Sequence, residues 1–188
     1  MSAFWTLSTE QDSCALISDA GASLNYGHLT SLTDSMAVAL PEKARRQLGF
    51  IALAPTPALV AVYLHALRST RHVPLLLPPD LHTDLLASLA RNYQPDWIAL
   101  PGNHRGAAGY APYWASDDGK ILVRTGRTLS DPELYPDLAL LLTTSGSTGS
   151  NKLVRLSYEA LAENAIAISK YLNLDANDRV LRPPLAKV

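Results

Sequence analysis

Residues 143–152 read Thr-Thr-Ser-Gly-Ser-Thr-Gly-Ser-Asn-Lys and hold the densest group of side chains that could do chemistry. Hydroxyls at Thr143, Thr144, Ser145, Ser147 and Thr148 can donate hydrogen bonds to anionic oxygens. Gly146 and Gly149 lack a Cβ, so a ligand can approach the backbone there closely. Backbone N–H groups that converge in such a turn form a concavity for anions, and Lys152 adds a mobile positive charge. This combination suits the cradling of a polyphosphate. The plainer alternative is a connecting turn, since these residue types also explain themselves as turn formers.

Two better-defined motifs do not fit the stretch. Counted from Gly146 as a P-loop, Lys152 falls at the right distance, but Asn151 replaces the second glycine. Leu153 replaces the hydroxyl residue that would hold Mg²⁺. No G-x-S-x-G nucleophile elbow can be read through it either. Elsewhere the chemistry-bearing residues are dispersed. His28, His65, His72, His82 and His104 show no H-x-x-H or H-E-x-x-H spacing, so no zinc site is expected, and His65 reads as a core histidine. Asp117 and Asp118 stand before Gly119 and read as a solvated turn rather than a metal pair; no metal ligand is assigned. Trp5, Trp97 and Trp114 are not joined by a basic stripe, so they read as packing residues rather than a base-stacking platform. Cys14 reads as a buried structural thiol.

The loop needs elements to hold it. Leu138–Leu142 is an apolar strand candidate before it, and Leu153-Val154 is a short β-prone piece after it. Ser157 can cap a following helix, with Leu156 and Leu161 as a hydrophobic staple and Leu161, Ala165, Ile168 and Leu172 as its buried face. Upstream, Cys14–Ser18 and Ala22–Asn25 predict two strands about a turn. Leu29, Leu32, Met36 and Leu40 then share one helical face over 28–40. The run Phe50–Leu67 is apolar and nearly long enough for a membrane span, but Pro55 and Pro57 divide it. Strand, turn and a helix capped by Thr56 with Pro57 at its first position explain both prolines, so no membrane insertion is expected. Val73–Leu77 predicts a strand, Asp80 a cap for a helix whose Leu81, Leu85 and Leu89 face the core, and Asp96–Leu100 a further strand. Lys120–Arg124 predicts a short strand turning near Thr125-Gly126.

Strands that alternate with helices of this length imply an α/β fold with a parallel-strand body and crossover helices. The 188 residues then divide into a hairpin and helix (1–49), a βαβαβ section (50–102), an irregular segment (103–137) and the loop with its flanking elements (138–188). At 47% hydrophobic and 18% charged, the chain can bury a core. Its net charge of −1 offers no electrostatic case for nucleic acid. A single cysteine excludes an internal disulfide framework, and residues 1–30 lack a secretory signal pattern, so the cytoplasm is expected.

The stretch TSGSTGSNKLV, followed by RLSYEAL, resembles the phosphate-loop signature of the AMP-forming adenylating enzymes. That superfamily includes acyl-CoA synthetases, nonribosomal-peptide adenylation domains and firefly luciferase. Its usual form is Tyr-Thr-Ser-Gly-Ser/Thr-Thr-Gly-x-Pro-Lys-Gly-Val, often with Ser-His shortly after. Thr144, Ser145, Gly146, Ser147, Thr148, Gly149, Lys152 and Val154 match it. Thr143, Asn151, Leu153 and Tyr158 depart from it, beside the hydroxyl–glycine core rather than within it. Asn25-Tyr26 and Asp178-Arg179-Val180-Leu181 also resemble family positions.

The resemblance implies the N-terminal part of such an enzyme's large domain, about its first third to two-fifths. It implies ATP with Mg²⁺ as reactant and a carboxylic acid as substrate. The acyl acceptor would be CoA or the phosphopantetheine of an acyl-carrier protein. Thr144–Gly149 and Lys152 would hold the phosphates. The family's catalytic residues would fall beyond Val188, so no residue here is given a catalytic role and the 188 residues alone are expected to be inactive. The rival expectation is a stand-alone, non-catalytic module that binds a nucleotide or a partner.

Overall fold

The computed structural model describes residues 3–7, 10–18, 21–126, 133–143, 153–175 and 178. A short 3-10 turn, Phe4–Thr6, precedes an antiparallel hairpin of β1 (Cys14–Ile17) and β2 (Ser23–Asn25), followed by α1 (Tyr26–Ala39). Then come β3 (Gln47–Ala52), α2 (Pro57–Ser69), β4 (His72–Leu77), α3 (Thr83–Tyr93) and β5 (Trp97–Leu100). β6 (Tyr110–Ala115), β7 (Lys120–Arg124), β8 (Leu138–Thr143), β9 (Leu153–Ser157) and α4 (Tyr158–Tyr171) complete the described elements. The main sheet has the order β6-β7-β5-β3-β4-β8-β9. β5, β3, β4 and β8 run parallel, and β7, β6 and β9 join antiparallel. This is the α/β parallel body expected from the alternation of strands and helices.

The prolines act as the sequence implies. All six residues of β3 are buried, as a central strand covered on both faces requires. The chain then turns, and Thr56 accepts a hydrogen bond from the Leu59 N–H at 3.4 Å with Pro57 in the first turn of α2. Leu48, Phe50 and Ala52 pack with Leu86, Leu89 and Ala90 of α3, whereas Ile51 packs with Met36 of α1 and Leu59 and Val62 of α2. Helices therefore cover both faces of the sheet, with α1 and α2 on one side and α3 on the other.

Several expectations are corrected. Asp80 does not cap α3: the Leu81 N–H bonds the Pro78 carbonyl in a turn, and the helix starts only at Thr83. Its buried side chains are Leu86, Leu89 and Ala90, while Leu85 is exposed. α1 starts at Tyr26, capped by the Asn25 side chain accepting from the His28 N–H at 2.8 Å. β7 pairs with β6, a strand the sequence did not suggest, through a turn at Ser116–Gly119 rather than one at Thr125-Gly126. Cys14 is half-buried, its thiol 3.7 Å from the Leu16 carbonyl. α4 is capped by Ser157 as expected, but none of its residues is fully buried, and Ile168 and Leu172 are exposed. Residues 179–181 lie outside the described residues.

Gly49 is required where β3 meets β5. It stands in register with Trp97, and a Cβ on it would come within 2.0 Å of the buried indole. Gly49→Ala should therefore cost about 3 kcal/mol, the upper end of the usual overpacking range, measured by urea denaturation. Combined with Trp97→Leu, the loss should be smaller than the sum of the two single losses; strictly additive losses would contradict the clash.

The same indole fixes a buried histidine. The Trp97 Nε1–H donates to His72 Nδ1 at 3.1 Å, so that nitrogen carries no proton. Burial, then the nearby His65 and Arg71, push the His72 pKa down to about 4. The unfolded chain takes up this proton near pH 6.5, well before the folded one does. Stability should therefore be complete above pH 6.5 and decline between pH 6.5 and about 4, by on the order of 3 kcal/mol. His72→Phe should flatten the pH profile of unfolding in that window, and an unchanged slope would contradict this assignment.

Candidate functional site

The carboxyl edge of the parallel strands is where the chain offers a site. β3 leads to α2 on one face of the sheet, and the neighbouring β4 leads to α3 on the other. Such a reversal leaves a crevice between the two outgoing loops, the usual ligand position of open α/β sheets. A cleft of about 420 Å³ lies there, lined by Leu53, Val60, Tyr63, Leu76, Pro78 and Pro79 among others. Burial pushes the Tyr63 phenol up to about 12, so it stays neutral.

β8 is the next strand along. Leu75 and Leu76 of β4 are in parallel register with Leu141 and Leu142, so β8 ends beside the cleft. β9 returns antiparallel, with Leu142 opposite Val154 and Thr143 opposite Leu153. Residues 144–152 thus join two strand ends that are paired directly. Thr144, Ser145, Gly146, Ser147, Thr148, Gly149 and Lys152 lie outside the described residues, so the geometry available is that of the strands that flank them.

After β9, Ser157 opens α4 and its hydroxyl accepts from the Ala160 N–H at 3.1 Å. Tyr158, one of the departures from the family signature, packs edge-on against Trp5 with ring centroids 5.8 Å apart. Its N–H donates to the Asp137 carbonyl at 3.1 Å, which ties the start of α4 to the segment that enters β8. The N-terminus of α2 already has an anion: Asp118 accepts from the Ala58 N–H at 3.2 Å. Asp118 belongs to the turn between β6 and β7, where the turn reading put it.

The opposite, amino edge carries the densest charge network. Asp96 is buried, and its Oδ1 accepts from Lys43 at 2.6 Å, Arg45 at 2.8 Å and Arg124 at 3.2 Å. Its Oδ2 accepts from Arg45 at 2.9 Å and from the Leu48 N–H at 3.2 Å. Burial alone would raise its pKa, but the hydrogen bonds from Arg45 and Lys43 prevail and hold it below the usual carboxylate range. This knot lies at the far end of the strands from the cleft and ties β3, β5 and β7 together. His65 makes a hydrogen bond through Nδ1 to the Thr33 carbonyl at 3.1 Å, consistent with a core histidine. Among the described residues, no group of three or more His, Cys, Asp or Glu is placed to hold a metal, and no helix is long and apolar enough to cross a membrane.

The cleft escaped the sequence reading. Pro55 and the pair Pro78-Pro79 marked the ends of two strands, but their adjacency depends on the order of strands in the sheet.

No family model matches the chain. Among curated proteins it is 30% identical over 176 residues to the PKS-NRPS hybrid synthetase ATPKS of Aspergillus niger, covering 84% of this chain and 9% of that protein. Among solved structures it matches the O-succinylbenzoate coenzyme A synthetase MenE of Bacillus subtilis in complex with AMP, with a TM-score of 0.65 and 15% identity. That match covers 93% of this chain and 47% of MenE. ATP-bound MatB from Rhodopseudomonas palustris matches with a TM-score of 0.61 and 19% identity, over 90% of this chain and 37% of MatB. The chain thus spans less than half the length of each of these proteins, and at such identities the two solved structures speak for a common fold.

Proposed function

We propose that this chain, which has the fold of the N-terminal part of AMP-forming adenylating enzymes and resembles them in its hydroxyl–glycine stretch, is part of an ATP-dependent ligase that activates a carboxylic acid. The observation that carries the reading is the position of β8 and β9. β8 ends and β9 begins at the carboxyl edge of the parallel strands, beside the crevice between β3 and β4, and TSGSTGSNK is the stretch of sequence between them.

In the proposed reaction, a carboxylate oxygen of the acid attacks the α-phosphorus of MgATP. The bond from that phosphorus to the bridging oxygen breaks, and pyrophosphate departs with the electron pair. Thr144–Gly149 would supply hydroxyls and backbone N–H groups to the β- and γ-phosphates. Donors fixed in advance stabilise the charge that builds on the leaving group without reorganising during the step. Lys152 acts as a mobile cation and not as a base. A thiol, of CoA or of a carrier protein's phosphopantetheine, then attacks the acyl carbonyl and displaces AMP. The cytoplasm is the proposed setting. The remaining catalytic groups are assigned to parts of a longer protein, as the short span over its relatives suggests.

The test is pyrophosphate exchange into ATP by the complete natural protein against a panel of carboxylic acids. Acid-dependent exchange is expected, and residues 1–188 alone should support none. Exchange by those residues alone would overturn the division of labour, and no exchange by the complete protein with any acid would overturn the function.

A further inference from the structure

We propose that the outer side of α4, together with the free edge of β9, is a packing surface covered by an apolar helix or sheet face of further polypeptide in the complete natural protein. The inference does not depend on the acid-activation reading and can fail or hold apart from it.

The first ground is the way residues are distributed around α4. Its charged residues, Glu159, Glu163 and Lys170, are spaced i, i+4, i+11, so they share one narrow side, and all three are exposed. That side is the one built for water. Tyr158 and Leu161 turn the other way, onto the cluster of Leu67, Ala139 and Leu140. A third side, Ala160, Asn164, Ala167, Ile168 and Tyr171, carries no charge and yet is exposed, Tyr171 to 88%. A helix that is apolar around most of its circumference belongs in an interior. α1, α2 and α3 each bury several residues, whereas α4, as long as α1, buries none.

The second ground is the contrast between the two edges of the main sheet. At the β6 edge, Pro112 has no N–H to offer and a bulge lies between Pro112 and Trp114, both of which discourage further pairing. At the other edge β9 reads LVRLS, has no proline and pairs with β8 alone among the described strands. Val154 on it is exposed. α4 packs on β8 and β9, so the open edge and the uncovered helix side belong to the same end of the sheet.

The third ground identifies what covers this surface. The shared fold takes in 93% of this chain but 47% of MenE, and 90% of this chain but 37% of MatB. Each of those proteins therefore has more polypeptide outside the shared region than within it. Polypeptide joined to this chain meets the surface at high effective concentration, whereas a second copy must first overcome the entropy of association. Its contacting face must be apolar, because a charge buried against Ile168 and Tyr171 would find no partner there.

The experiment is hydroxyl-radical footprinting of the complete natural protein, with side-chain oxidation read by peptide mass spectrometry and the oligomeric state read by light scattering. If the surface were bare, Tyr171 at 88% exposure would oxidise faster than Tyr113 of β6 at 52%. The expected result is the reverse order, Tyr171 slower than Tyr113, in the monomer. Faster oxidation of Tyr171 would overturn the proposal. Protection present in a dimer and lost on dilution to the monomer would give the surface to a second copy and overturn it as well. In the same protein, Ile168→Asp should lower the urea midpoint, whereas Val38→Asp, at an exposed position of α1, should leave it in place. Equal midpoints for the two variants would contradict the covered surface, and where Ile168→Asp does not fold, the footprint of the unaltered protein decides.

Discussion

Asp96→Ala is expected to destabilise the fold by about 3–5 kcal/mol, the range for removing one partner of a buried charge cluster. Three cations converge on this carboxylate, whose side chain is only 2% exposed, and each would respond differently to its loss. Lys43 is 42% exposed and can turn into water, whereas Arg124 is 11% exposed and would keep its charge half-stranded among β5 and β7. The Leu48 N–H would lose its side-chain acceptor as well. By contrast Lys43→Ala should cost less than about 1 kcal/mol, because an exposed cation contributes little. Equal losses for Asp96→Ala and Lys43→Ala in urea denaturation would contradict this account of the knot. The pH dependence has a definite sign. With its folded pKa held below the unfolded value of about 3.9, the contribution of Asp96 is complete above that pH and is lost as pH falls through the folded pKa. Acid unfolding should thus show two stages, the His72 decline below pH 6.5 and the Asp96 loss below about 3.9.

The second large effect concerns activity. In the complete natural protein, replacing both Ser145 and Lys152 by alanine should reduce acid-dependent pyrophosphate exchange by about 10²–10³-fold, the usual effect of deleting fixed donors that meet developing charge. The change removes one hydroxyl and one cation from the proposed phosphate loop and nothing from the described core. The circular dichroism and urea midpoint should therefore stay as they are. Unchanged exchange would remove the site assignment, and a matching loss of stability would make the effect structural. Serine and lysine restored one at a time should each recover part of the rate.

The parallel body was legible because prolines punctuate it. Pro55 and Pro57 close β3 and open α2, and Pro78-Pro79 close β4, so the apolar runs between them could only be short buried elements. The capping of α2 and α4 was legible for a local reason: Thr56 and Ser157 bond N–H groups three residues on. Asp80 matched the same local pattern, yet the turn from Pro78 displaced the helix start by two residues, from Leu81 to Thr83. β6 was missed because YAPYWA carries Pro112, which removes a ladder donor and so reads against a strand; β6 lies at the edge of the sheet, where that loss is tolerated. The apolar stripe on α4 was found, but periodicity does not tell what covers a stripe.

Long-range chemistry was not legible. Asp96 draws its partners from positions 43, 45, 48 and 124, and no local spacing connects them. The cleft depends on β3 and β4 being neighbours whose connections diverge, a property of strand order. For the proposed phosphate loop the balance was reversed: its residue types carry the proposal, and the structure adds only the paired strands β8 and β9 that precede and follow it in the sequence.

The most direct test of the central proposal is the identity of the nucleotide product. The complete natural protein would be incubated with MgATP, a carboxylic acid that supports exchange and a thiol acceptor, and the products separated by chromatography. AMP and pyrophosphate formed in step with thioester is the predicted result. ADP and phosphate, or consumption of ATP that does not depend on the acid, would contradict it.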